Sequence, residues 1–469
     1  MNRRKFFKTG SLAALGTAIV PELIAYNHRS EDFKRGTAKN IIFLVSDGMS
    51  AGTLNMADLF LQRQRGSSGN WIRLYQENKV SRALMDTASA NSIVTDSSAG
   101  SSAWGGGVRV NNGSLNIGPN GEKHLPILQK FKMSGKKVGC VTTVPITHAT
   151  PAGFCVNSES RNSQAEIALE YAQLGFDVMM GGGHKYFDAA QRKDKVDAYA
   201  LYQKKGWQLA RTKNEMAGAK SDKPVLGVFA DDALPYALDF QQSADMQRSI
   251  PTLAEMTREA IRLMKEHPRG FVLQVEAGKV DWGAHANDIG AVLFDQLAFD
   301  DAVGVAMEFA EADKNTLVII TTDHGNANPG VIYGKEANAQ FDSLARYRQT
   351  NEWVLNAIHA DMTTAAVREL IAYNHGFAPT EEQATSLLAY YKGLSKTEEG
   401  LYNFRKIPFR EYAEIQKKHN SVGWISMDHS ADFAELALYG PGSELLKPFI
   451  KNTDLHFLML QAAGVENKF

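Results

Sequence analysis

Two kinds of hydrophobic pattern alternate along the chain. Short apolar runs enriched in β-branched residues occupy 40–45, 137–142, 271–275, 316–320 and 435–439. Runs of this length and composition predict strands buried on both faces, as in a parallel sheet. Between them, 163–174, 251–266 and 288–311 return apolar residues every three or four positions; in the second, Leu253, Met256, Ala260 and Met264 form one stripe. The alternation predicts an α/β fold, doubly wound, with a mostly parallel central sheet and helices on both faces. Residues 329–420 break the rhythm. They are polar and helical in pattern, with no clear strand, and read as a mainly helical insertion in one domain spanning 38–469.

Open α/β sheets bind ligands beyond the carboxyl ends of their strands, so the residues after each apolar run matter most. NIIFLV runs into Ser46-Asp47-Gly48, FVLQV into Glu276-Ala277-Gly278, and TLVII into Thr321-Thr322-Asp323-His324. One acid after a strand is ordinarily a turn residue or a helix cap. Three such endings aimed at one edge exceed turn chemistry. In EAGKVDWGAHAND, Asp281 and His285 stand four apart, on one face of a helix. His429 precedes the last apolar run, with Asp428 and Asp432 beside it. Asp47, Asp281, His285, Asp323, His324 and His429 offer only oxygen and imidazole nitrogen. That chemistry suits zinc or another first-row metal, whereas carboxylate with hydroxyl suits magnesium. Six ligands exceed the needs of one ion, and two ions about 4 Å apart clamp an in-line displacement at phosphorus. Among the other histidines, His28, His267, His359, His375, His419 and His456 default to surface or satisfied core positions.

The stretch NSIVTDSSAGSSAWGGG, residues 91–107, carries little side-chain bulk. It reads either as a flexible Gly/Ser linker or as a nucleophile at a helix start, where free N–H groups face an anion.

These motifs together resemble the alkaline phosphatase family. VTDSSAGSSAW is similar to its nucleophile motif, and ITHATPAGFCVNSESR, EAGKVDWGAHAND, TTDHGNAN and the late His429 follow in the family's order, from about Asn40 to Gly442; FDVMMGGGHKYF is also family-like. The resemblance implies hydrolysis of small-molecule phosphate monoesters through a phosphoserine on Ser97, helped by two Zn²⁺ and one Mg²⁺. One zinc would be held by Asp281, His285 and His429, the second by Asp47, Asp323 and His324, and the third ion by Asp47, Thr150 and Glu276. Arg161 would grip two phosphate oxygens in a planar fork, beside Asp96 at the head of the nucleophile helix. His148 and Trp282 stand where other members carry Asp and Lys, a pair shared by a subset of bacterial members. His148 would lie near the third ion, and Trp282 would wall the phosphate pocket. Broad tolerance of the alcohol follows, and the resemblance admits a homodimer.

Composition adds location. The 469 residues carry a formal net charge of −1, without a basic block of the kind that binds nucleic acid. Past residue 25 no apolar run is long enough to span a bilayer. The start, MNRRKFFKTGSLAALGTAIVPE, resembles a twin-arginine export signal over residues 1–25, implying a periplasmic or secreted protein. Export permits a disulfide between Cys140 and Cys155, but the apolar setting of Cys140 favours reduced, buried thiols. Among rival readings, a phosphodiesterase or other phosphoryl-transfer enzyme shares the fold, and a non-catalytic metal- or phosphate-binding protein could keep the scaffold. A sulfatase lacks its C-x-P-x-R at Cys155-Val156-Asn157, and no G-x-S-x-G supports a Ser-His-Asp hydrolase. The heptapeptide ELIAYNH occurs twice, at 22–28 and 369–375, too short for a structural repeat.

Overall fold

The computed structural model describes residues 38–397 and 400–467. The export-signal region 1–25, His28 and the first ELIAYNH copy lie outside the described residues. In chain order the strands are β1 (Asn40–Ser46), β2 (Ser81–Asp86), β3 (Lys137–Pro145), β4 (Val178–Gly182), β5 (Gln208–Ala210), β6 (Val225–Val228), β7 (Phe271–Ala277) and β8 (Thr316–Thr321). The two-residue strands β9 (Gly325–Asn326), β10 (Gly330–Val331), β11 (Val422–Gly423) and β12 (His429–Ser430) follow, then β13 (Ala434–Tyr439) and β14 (Phe449–Lys451). Among the described residues, one 10-stranded sheet runs in the order β14-β2-β13-β8-β1-β7-β3-β4-β6-β5.

The central strands β1, β7 and β8 are buried along their whole length, so their β-branched runs sit between helices on both faces. Register sets the level of their ends. Val45 lies opposite both Glu276 and Thr321, and Glu276 lies opposite Thr142. The carboxyl ends of β8, β1, β7 and β3 therefore finish side by side. One expectation fails here: β13 runs antiparallel to both β8 and β2. A run buried on both faces looks alike in either direction, so its apolar pattern carries no orientation. Nor is β13 the last strand. β14 follows, but its outer residues Phe449 and Lys451 are exposed and leave no apolar run to read.

The helices Gln164–Leu174, Leu253–Met264 and Ile289–Asp313 occupy the periodic segments. Thr252 and Glu255 close a reciprocal capping box on the second, and Asp288 caps the third. Between β10 and β11, which pair with each other, the chain forms helices including Thr364–His375, Glu381–Ala389 and Phe409–Asn420. These gather a core of their own around Leu355, Ile371, Leu387, Tyr391 and Tyr412. No helix among the described residues is long and apolar enough to cross a membrane. Cys140 and Cys155 are buried free thiols with sulfurs 3.8 Å apart.

The small-residue stretch is no linker. Ser97–Gly106 is a helix in which every residue is buried. It lies so close to the helix Ala149–Cys155 that a Cβ on Gly105 would fall 1.8 Å from the Gly153 carbonyl oxygen. A Cβ on Gly153 would fall 2.1 Å from Ser101 Oγ. Backbone rather than flexible side chain blocks position 105. Gly105→Ala is therefore expected to destabilise the protein by about 1–3 kcal/mol, against the roughly 1 kcal/mol of intrinsic helix propensity that alanine adds. A denaturant midpoint unchanged or raised would contradict this packing.

Candidate active site

Helix Ser97–Gly106 begins where its sequence permits it. Asp96 takes the N-cap position and accepts from the Ala99 amide at 2.9 Å, while Ser98 Oγ donates to the same carboxylate. The cap thereby places Ser97 in the first turn, among amides that have no intrahelical partner. Asp96 also accepts from the Gly113 amide and from Arg161 Nη1 at 3.0 Å. Arg161 Nη2 donates to His148 Nε2 at 3.2 Å, so both arms of the guanidinium are placed. The nearby arginine and the capping amides outweigh the upward push of burial and hold the Asp96 carboxyl below its ordinary range.

Ser97 faces the strand ends. Its Oγ lies 3.5 Å from Asp47 Oδ1 and 3.4 Å from His324 Nε2. His324 Nε2 is 3.3 Å from Asp323 Oδ2 and 3.6 Å from Asp47 Oδ1. These three residues form one group of metal-type donors, all buried. A second group joins Asp281, His285 and His429: Asp281 oxygens lie 3.5 Å and 3.4 Å from the two Nε2 atoms. A third contains Asp47, His148 and Glu276. Thr150 Oγ1 donates to Asp47 Oδ2 at 3.2 Å, and Thr142 Oγ1 donates to Glu276 at 2.5 Å. The first two groups abut, with the His324 and His429 rings stacked 3.7 Å apart. Trp282 presents its ring edge-on to His148, 5.9 Å between centroids.

The backbone sets each imidazole. His285 Nδ1 donates to the Met427 carbonyl at 2.7 Å, His429 Nδ1 to the Thr95 carbonyl at 2.9 Å, and His324 Nδ1 to the Gly325 carbonyl at 3.3 Å. A carbonyl only accepts, so the proton sits on Nδ1 and Nε2 is left to face the carboxylates. The Nε2 atoms of His285 and His429 are 3.1 Å apart. Two lone pairs at that distance repel unless a cation, proton or metal, lies with them. Accordingly Asp281 raises the His429 pKa to about 9, overcoming the downward effect of burial. Burial and the carboxylates of Asp323, Asp281 and Glu276 push Asp47 well up, and burial raises Glu276 to about 7. Asp323 Oδ2, Glu276 Oε1 and His148 Nδ1 are buried without a hydrogen-bond partner. Unsatisfied oxygens and unprotonated imidazole nitrogens converging from separate strands are a donor set for divalent metal ions.

The tertiary structure thus brings together every site residue expected above. It adds some whose contacts span segments too far apart in the chain to read from it. Asn326 Nδ2 donates to Asp281 Oδ1 at 2.7 Å, and the Gly48 amide donates to Asp323 Oδ1 at 3.0 Å. Gly48 has φ +66, and a Cβ there would fall 2.5 Å from Asp281 Oδ1. The other described histidines stay outside the donor groups. His375 bonds Tyr412 and Gln349, His456 bonds Trp104 and Lys130, and His184 bonds Tyr199. Ser97, Arg161 and the Asp281, His285 and His429 group open on a cleft of about 550 Å³ that Thr95 also lines.

Such a sheet and such a cleft define an α/β enzyme whose chemistry runs at the carboxyl edge, among metal-type donors. Comparison with known proteins makes this specific. Residues 38–465 match the family described as alkaline phosphatase. The chain is 30% identical over 429 residues to Alkaline phosphatase 4 of Bacillus subtilis (strain 168), covering 89% of this chain and 87% of that one. It is 30% identical over 333 residues to the alkaline phosphatase of Escherichia coli (strain K12), covering 62% and 71%. Its fold is similar to the crystal structure of Thermus thermophilus alkaline phosphatase, with TM-score 0.83, 31% identity, and coverage of 92% of this chain and 93% of that one. The chain belongs to the alkaline phosphatase family and is a phosphomonoesterase.

The Asp96 carboxylate has a depressed pKa, so its contribution to stability is fully present above the ordinary aspartate value of about 3.9 and is lost as pH falls through the lower folded value. Asp96→Asn is expected to cost about 1–2 kcal/mol at pH 7. The gap from the wild type should close in acid. Thermal unfolding across pH checks this, and a gap that widens below pH 4 would contradict it.

Proposed function

We propose that this chain hydrolyses phosphate monoesters by two successive displacements, with Ser97 as the nucleophile. The observation that carries the reading is the position of Ser97 Oγ, at a helix N-terminus and within 3.5 Å of both Asp47 and His324. The ester's phosphoryl group enters the cleft against the free amides of the first helical turn. Arg161, held by Asp96 and His148, receives two non-bridging oxygens in its fork, an arrangement that favours monoesters over diesters. Ser97 Oγ gives up its proton and forms a bond to phosphorus as the bond to the alcohol oxygen breaks on the opposite side, and the departing oxygen takes a proton from solvent to leave as the alcohol. Water then attacks the phosphoserine from that vacated side and restores the hydroxyl.

The donor chemistry supports a reading in which Asp281, His285 and His429 would hold one Zn²⁺ and Asp47, Asp323 and His324 would hold another. The hydroxyl and carboxylates of Thr150, Asp47 and Glu276 suit Mg²⁺, with His148 beside them. Bound there, such ions would lower hydroxyl pKa values and neutralise the charge gathered on phosphorus and the leaving oxygen. Trp282 walls the pocket. Residues 1–25 act as a twin-arginine signal that delivers the enzyme to the periplasm or beyond, and 329–420 is an insertion in a single catalytic domain.

Ser97→Ala is expected to lower turnover of p-nitrophenyl phosphate by roughly 1000-fold or more and to abolish acid-stable phosphoserine after quenching with labelled substrate. Label trapped undiminished in that variant would exclude Ser97. Asp281→Ala should lose one metal ion per chain by elemental analysis, and chelation should remove activity that Zn²⁺ with Mg²⁺ restores.

A further inference from the structure

A second cavity of about 800 Å³ opens beside the reaction cleft. Trp282, His285 and Asp428 line both spaces, so the two adjoin across these side chains. Asp47, Asp323 and His324 line neither. If Ser97 attacks from the side of Asp47 and His324, an in-line displacement sends the alcohol toward Asp281, His285 and His429. Past His285 lies the second cavity.

Its far wall comes from the helical segment between β10 and β11. Phe404 sits on a short 3₁₀ turn, Phe409 opens the helix Phe409–Asn420, and Tyr390 follows the helix Glu381–Ala389. The Phe404 and Phe409 rings pack 4.6 Å apart. On the near side stand Trp282 and Tyr236, with Lys279 Nζ 3.5 Å from the centre of the Tyr236 ring and 5.0 Å from that of Trp282. This buried cation braces both rings. The Tyr236 hydroxyl is buried and has no hydrogen-bond partner. The charged lining residues are of both signs, Arg405 and Arg410 against Glu352, Glu411 and Asp428, and favour neither an anionic nor a cationic guest. The size lies within the range of small-molecule sites, and the rings of Trp282, Tyr236, Tyr390, Phe404 and Phe409 fit a flat, uncharged ring.

We infer that this cavity receives the alcohol of the substrate and selects monoesters whose alcohol carries an aromatic ring. The inference rests on the reading of Ser97 as nucleophile, and it gives the helical segment a task, selecting substrate.

The test compares kcat/KM for 2-phenylethyl phosphate and ethyl phosphate. Both are primary alcohols that leave with similar ease, so the ratio reports how the ring is held in the transition state. The wild-type ratio is expected to reach about 10 or more. Phe404→Ala and Tyr390→Ala should each lower it severalfold. Phe404 is 41% and Tyr390 45% exposed, so neither substitution removes core. A wild-type ratio near one, or a ratio that both variants leave intact, would overturn the cavity's role. Failure to hydrolyse either ester, with no label on Ser97, would overturn the nucleophile reading and this inference with it.

Discussion

Like charge held out of water is the constraint on which this structure turns. Asp47, Glu276, Asp281 and Asp323 are all buried within one edge of the sheet, where each carboxylate has lost most of its hydration. Burial and mutual repulsion raise Asp47 and Glu276. Buried charges persist only when paired or bound to metal. The chain supplies a partial answer through Arg161, the raised His429 and the amides around Asp323. The partnerless oxygens of Asp323 and Glu276 show that this answer is incomplete without further cations. Binding and folding are coupled at such a site. The same unmet charge that burdens the bare protein gives a cation, and then a phosphate, its reason to bind.

Holding that charge in place takes a rigid frame. The parallel register of β8, β1, β7 and β3 aligns the acids, and three backbone carbonyls select the histidine tautomers. The helix Ser97–Gly106 is locked differently, by close backbone contact at Gly105 and Gly153 and by the Asp96 cap. Asp96 serves both helix and arginine, so the helix cap and the Arg161 guanidinium share one carboxylate. Small residues here have a mechanical purpose: they bring the helix N-terminus up to the strand ends without intervening side chains.

Much of this was legible in the linear chain, for local reasons. Apolar runs with β-branched residues need burial on both faces, so β1, β3, β7 and β8 announced themselves, and the acids after them marked an edge. The Asp281–His285 spacing follows helical geometry alone. What stayed hidden was short or non-local. β5 and β6, of three and four residues, carry too little pattern, and β2 alternates exposed and buried positions only partially.

The sequence by itself determined which residues could form strands and helices, where the helix of Ser97 begins, and which donors exist, because propensity, capping and ligand chemistry act over a few bonds. Only the tertiary structure decided the reversed direction of β13, the level at which four strands end, the approach of His148 to Glu276 and Asp47, and the placing of two cavities side by side at Trp282 and His285. Each of these depends on contacts between segments remote in the chain. Such contacts are settled by the packing of the whole core, which no local stretch encodes.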